Sequence, residues 1–206
     1  MEFISQITTQ ADIFKIADEL TKDKKDQYDI GFLFVSGPNR KSMTDLIKLV
    51  RNRVQVNCLL GCTCAGIIGT NAEVEQVPAS VLILGELPKV KITPFSINQA
   101  QLDRLIKPED WYAFFNVFPN ENPKFLILPD PFLVDMNQLL EGLNQTYPGC
   151  PVIGGLASGA AQPRENLLFI NEQTYRELRL TKSIQYIIQL NRRLIRDITH
   201  CISRCS

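Results

Sequence analysis

The chain contains a single histidine, His200. That scarcity removes the Ser-His-Asp triad as a design for the body of the protein, and with it any multi-histidine metal centre. There is no surplus of either charge, with 22 basic and 22 acidic residues. A chain so balanced lacks the electrostatic footprint of a nucleic-acid binder, and no nucleic-acid partner is expected. No stretch approaches the ~20 consecutive apolar residues that span a bilayer. The first ten residues, MEFISQITTQ, lack the basic start and apolar core of a secretion signal. Cysteines paired at the spacing of a zinc site are also missing, since Cys62 and Cys64 are separated by one residue and Cys201 and Cys205 by three. Neither a metal nor a cofactor is expected. The six cysteines, with Cys58 and Cys150 inside apolar runs, suit a reduced compartment better than a disulfide scaffold. The expected location is the cytoplasm.

What the chain does have is an internal similarity. Shifted by 93 positions, residues 31–66 align without a gap on residues 124–159, and seven of the 36 pairs are identical. Among them are Phe32 with Phe125, Met43 with Met136, Gly61 with Gly154 and Gly66 with Gly159. Each copy reads as strand, helix, strand. A duplicated unit predicts two similar pieces about an approximate twofold, with a pocket between them.

The remaining pattern alternates strand and helix. Residues 12–25 carry Ile13, Ile16, Ala17 and Leu20 at helical spacing before a charged, solvated end. Residues 29–36 form a continuous apolar strand of the kind buried on both faces of a parallel sheet. Gly37-Pro38 breaks it and opens a helix with Met43, Leu46, Ile47 and Val50 on one stripe. Strands follow over 54–61, 79–87 and 90–97, the last two flanking Pro88-Lys89, which reads as a tight antiparallel turn. Residues 98–116 read as helical with an interruption at Pro108. The second copy comprises a strand at 124–128, a turn at Pro129-Asp130-Pro131, a helix at 135–146 and a strand at 151–154, and another strand covers 166–171. The expected class is α/β: a mixed, mostly parallel sheet with flanking helices.

Chemistry is expected at the two glycine-framed segments. They comprise Gly61, Cys62, Thr63, Cys64, Ala65 and Gly66, and Gly154, Gly155, Leu156, Ala157, Ser158 and Gly159. Each follows the carboxyl end of a buried strand, where open α/β sheets bind ligands. Small residues let the backbone approach a ligand, and free N–H groups can cradle an anion. The Gly-x4-Gly frame lacks the Lys-Ser/Thr of a phosphate loop, so triphosphate binding by that device is excluded. Asp130, between two prolines, could contact a ligand amine or satisfy turn amides. Cys62 could be a reactive thiol, or be present for its size.

The stretches GCTCAGIIGTNAEVEQVPAS, ILGELPKVKITPF, LPDPF and YPGCPVIGGLASG together resemble the N-terminal domain of the FIST (F-box and intracellular signal transduction) family. The resemblance covers residues 1–175, taken as one domain. It implies a non-enzymatic, ligand-binding sensory domain, with amino acids or similar metabolites as ligands and no catalytic residues. The binding residues it points to are Gly61, Cys62, Thr63, Cys64 and Gly66, and Gly154, Gly155, Ser158 and Gly159. Asp130 joins them from the sequence reading. A second, C-terminal FIST half is expected to follow. In its place residues 176–206 carry seven basic and two acidic side chains, with isoleucines and leucines at helical spacing. This tail reads as a basic amphipathic helix that could dock onto a partner, cover the sheet of its own domain or, as a lesser reading, lie on a membrane surface; a truncated or frame-shifted end is the other reading. The alternative function is a protein-interaction module of a signalling or F-box-type assembly, with a signalling protein as partner. A thiol-dependent enzyme using Cys62 ranks last.

Overall fold

The structure is a computed structural model that describes residues 2–69, 72–75, 77–163, 165–175 and 185–190. In chain order, β1 (Glu2–Thr8), α1 (Ile13–Thr21) and β2 (Gln27–Ser36) lead through a 3-10 turn to α2 (Met43–Arg53) and β3 (Gln55–Cys64). Next come β4 (Gly66–Gly69), β5 (Ala72–Glu75), β6 (Ser80–Glu86) and β7 (Thr93–Ile97). Two short helices, α3 (Gln99–Leu102) and α4 (Pro108–Phe115), precede β8 (Lys124–Leu128), α5 (Met136–Thr146) and β9 (Val152–Gly154). The last strands are β10 (Leu168–Ile170), β11 (Gln173–Tyr175) and β12 (Gln185–Leu190). The chain divides into two compact units, one built on Met1–Lys89 and Ala157–Arg176, the other on Val90–Leu156 and the segment containing β12.

The first unit is a six-stranded sheet in the order β1-β6-β2-β3-β10-β11, with a separate β4-β5 hairpin. Alternation along β2 and β3 sends Leu33, Val35 and Leu59 to one face, where Leu82, Leu84 and Phe169 join them. Helices α1 and α2 cover that face with Ile16, Ala17, Leu20, Met43, Leu46, Ile47 and Val50. The start of α1 is secured by Asp12, whose carboxylate accepts from the N–H groups of Phe14 and Lys15, both at 3.0 Å. Between β10 and β11, Asn171 (φ +53°) closes the turn. Its Oδ1 accepts from Leu59 N–H at 3.0 Å and from Arg51 Nη1 at 2.9 Å.

The second unit is a four-stranded sheet in the order β7-β12-β8-β9. Its core is aromatic, with Trp111, Phe115, Phe125 and Tyr147 buried beside Leu139 and Leu143 of α5. The Tyr147 hydroxyl lies 3.3 Å from Trp111 O and 3.2 Å from Val117 O, so the one polar atom of that ring has acceptors within the core. Pro108 opens α4 as expected, and Asp110 takes the N–H groups of Lys107 (2.8 Å) and Ile106 (3.1 Å).

The α/β class holds, but the expectation of mostly parallel strands does not. Among the described residues only β2–β3 and β8–β9 are parallel, and the other ladders are antiparallel. The crossover rule applies to the two strand–helix–strand units themselves, whereas β1, β6, β10 and β12 return as antiparallel neighbours. Pro88-Lys89 is not a hairpin turn either. β6 is already paired on both edges, by β1 and β2, so β7 pairs elsewhere, with β12. Four strands were not expected at all, β1, β4, β5 and β11, and a fifth, β12, falls where a helix was expected. In β1 (EFISQIT) polar and apolar residues share both faces, which hides the period of two, while β4 (GIIG) and β5 (AEVE) are four residues each and β11 (QTY) three, too short to show a period.

The two copies of the repeat share their element order, and α2 and α5 coincide end for end at the 93-residue offset. Their ladders differ, however. Leu33 pairs with Gly61 in the first, while the second pairs Ile127, not Leu126, with Gly154. The similarity is therefore one of local order, and the register is not reproduced. Of the expected tail helix, residues 176–184 and 191–206 lie outside the described residues, as do His200, Cys201 and Cys205. Gln185–Leu190 is a strand, as suits its β-branched and aromatic residues Tyr186, Ile187 and Ile188.

Candidate functional site

The residues expected at one site fall into two groups, one in each unit. In the first unit, Gly61, Cys62, Thr63 and Cys64 do not form a turn but continue β3, flanked by β2 and, as far as Cys62, by β10. The reason is steric. A Cβ on Gly61 would sit on the carbonyl oxygen of Leu33, 2.7 Å from its carbonyl carbon and 2.9 Å from the Phe169 ring. Glycine thus permits close strand approach here, not a ligand. Gly66 begins β4, paired with Glu75.

Thr63 is fully engaged. Its N–H donates to Leu167 O (2.9 Å), its O accepts from Ser158 N–H (3.1 Å), and its hydroxyl accepts from Leu167 N–H (3.2 Å) and donates to Asn166 Oδ1 (3.3 Å). Ser158 Oγ accepts from Ala65 N–H at 3.0 Å. Gly159 takes a left-handed conformation (φ +85°), and a Cβ there would come within 2.8 Å of Cys64 O. Amides expected to cradle an anion therefore donate to protein oxygens, and this group is scaffold built from satisfied contacts.

Cys62 and Cys64 are buried on one face of β3 with their sulfurs 3.9 Å apart. The sulfur–sulfur hydrogen bond with Cys62 and then burial hold the Cys64 thiol well above the ordinary range. Burial pushes the Cys58 thiol up to about 11, opposed by the Arg51 charge. A rise of two pKa units means roughly a hundredfold less thiolate at neutral pH. Alkylation of Cys58 and Cys64 in the native chain should accordingly be slow and become fast only in denaturant, as peptide-resolved mass spectrometry after a timed iodoacetamide pulse would show. Rapid native labelling of Cys64 would contradict this.

The second unit contains an open pocket of about 250 Å³ at the carboxyl ends of the parallel pair β8 and β9. β8 contributes Ile127 and then Pro129, α5 contributes Met136 and Leu140, and β9 contributes Val152, Ile153 and Gly154, followed by Gly155 and Leu156. Gly154 lines the pocket and also lets β9 approach β8 closely. With φ +153° it lies against Ile127 O, where a Cβ would be 2.8 Å from the Ile127 carbonyl carbon. Gly155 N–H donates to Ile127 O at 3.3 Å. Asp130 stands just beyond Pro129 but is fully buried. Its Oδ1 accepts from Phe132 N–H (3.1 Å) and its backbone O from Leu133 N–H (3.1 Å), the Asx-type turn that leads the chain into α5.

Of the expected residues, then, Gly154 and Gly155 line a cavity, and Asp130 shapes the adjoining loop. The lining side chains of α5 were not anticipated. No signal in the spacing could have found them, because Met136, Leu139, Leu140 and Leu143 form one ordinary i, i+3, i+4, i+7 stripe, and Met136 and Leu140 also pack against the core.

Fold and pocket together define a mixed α/β domain with an apolar cavity at the end of a parallel strand pair. The FIST N domain pattern matches residues 29–178, well over half of the chain, and the protein belongs to that family. Membership places it among sensory domains of signal transduction. The chain is similar to the uncharacterized protein Rv0628c of Mycobacterium tuberculosis, with 27% identity over 168 residues, 79% of this chain and 42% of that protein. It is also 27% identical over 125 residues to the uncharacterized protein Mb0898c of Mycobacterium bovis, 61% of this chain and 31% of that one. The chain thus spans less than half the length of these curated relatives. No described helix is long and apolar enough to cross a membrane.

Proposed function

We propose that the protein is a non-enzymatic, cytoplasmic sensory domain that binds a small ligand in the pocket at the ends of β8 and β9. The pocket carries this reading, since it lies where open α/β sheets place their ligands and is floored by two glycines of the family-like motif. Binding would engage the start of α5 and the loop after β9, elements able to report occupancy to a signalling partner. Thermal unfolding of the chain against a panel of amino acids and neutral metabolites tests it. A ligand selective for the folded state stabilises by about 2.7 kcal/mol at a hundredfold excess over its dissociation constant. Such a rise, abolished in a pocket-filling Leu140→Trp variant, is the expected result. A melt that no compound shifts would favour a protein-interaction module, a reading supported by Ile106 and Phe118, which are 81% and 56% exposed.

A further inference from the structure

The pocket also bears on the chemical class of its ligand, an inference that rests on the sensory reading above. We infer that it takes a neutral, apolar group and discriminates against a zwitterionic amino acid. Among the described residues the lining side chains are Ile127, Pro129, Met136, Leu140, Val152, Ile153 and Leu156, none of them charged or hydrogen-bonding.

An amino acid needs an anion hook and a cation hook, and the hooks nearest this pocket are occupied. The amino end of α5, the natural partner of a carboxylate, is closed by its own cap: Asp135 Oδ1 accepts from Asn137 N–H (2.9 Å) and Gln138 N–H (3.1 Å). The Asp135 charge would repel a second anion there. Gly155 N–H is turned to Ile127 O. For the ammonium group the nearby acid is Asp130, which has no exposed surface and accepts a hydrogen bond within its own loop. A charged group entering the pocket would lose water and gain no counter-charge. An apolar group loses nothing comparable and buries surface against seven side chains. An apolar cavity of about 150 Å³ accommodates benzene, so this one suits a ring with a short alkyl substituent, or roughly ten carbon atoms.

The test is a methyl-resonance titration of the full 206-residue chain. Butylbenzene and heptanol serve as neutral probes, with leucine, phenylalanine and octanoate as charged ones. The expected result is saturable shifts at Ile127, Met136 and Leu140 with the neutral probes, and at least hundredfold weaker binding of the charged ones. The shifts should vanish in Leu140→Trp and in the milder Met136→Phe, which fill the pocket by different routes. If leucine or phenylalanine moves the same methyls at comparable concentration, the apolar class is wrong while the pocket remains a ligand site. If the neutral probes give no saturable shift, or shifts that both filled variants retain, the inference is overturned and the pocket reading falls with it.

Discussion

Replacing Gly61 by alanine is expected to cost the first unit most of its stability. The added methyl has nowhere to go: it would overlap the Leu33 carbonyl oxygen on β2 and press on the Phe169 ring of β10. Neither neighbour is the free end of a flexible side chain. Leu33 O belongs to the backbone of a strand held on its other edge by β6, and Phe169 is fully buried in the core under α1 and α2. Overpacking of a core costs 1–3 kcal/mol when side chains can yield. Here the ladder itself must part, so about 4 kcal/mol or more is expected. Urea denaturation followed by far-ultraviolet circular dichroism would measure it. A variant within about 1 kcal/mol of the parent would mean that β2 and β3 do not approach as closely as described.

Truncating Phe115 to alanine should be comparably severe in the second unit. The ring is 1% exposed and stands at the centre of an aromatic cluster. It meets Phe95 edge-on at 5.2 Å, Phe114 at 5.0 Å, Phe125 at 5.6 Å, Trp111 at 6.0 Å and Tyr147 at 6.3 Å between centroids. Removing it opens a cavity that those rigid rings cannot collapse to fill, and Phe→Ala in such a site costs about 3–5 kcal/mol. Trp111 is the one tryptophan of the sequence and touches the vacated space, so its emission reports the transition directly. A midpoint that scarcely moves would show that Phe115 is not the hub of this core.

The parts of the fold that were legible in the sequence are those whose burial is written in composition. β2 and β8 are unbroken apolar runs, α2 and α5 carry clear stripes, and Pro108 marks a helix start that the structure reproduces. Strand partners were not legible, because pairing is decided by distant segments: β6 offers the same apolar residues whether it pairs β7 or lies between β1 and β2. The role of the glycines was not legible either. Gly61 and Gly154 both mark places where a strand neighbour leaves no room for a Cβ, and sequence alone does not distinguish such a position from a ligand cradle. Gly154 and Gly155 line the pocket described above. The N–H groups near Thr63 and Ser158 were expected to be open, yet they donate to protein oxygens supplied by strand pairing and by the loop from Ala157 to Asn166.

The position of β12 bears on how the protein is made. Gln185–Leu190 lies between β7 and β8, antiparallel to both, so the second sheet is finished by residues that follow Thr93–Ile97 by nearly half the chain. A ribosome must therefore deliver Leu190 before that sheet has its inner strand, and until then the facing edges of β7 and β8 are open to any extended peptide nearby. The first unit waits in the same way for β10 to complete the far side of β3. Nascent chains halted near residue 160 should thus be the form most dependent on chaperones, a vulnerability that the interleaved order of strands imposes during synthesis.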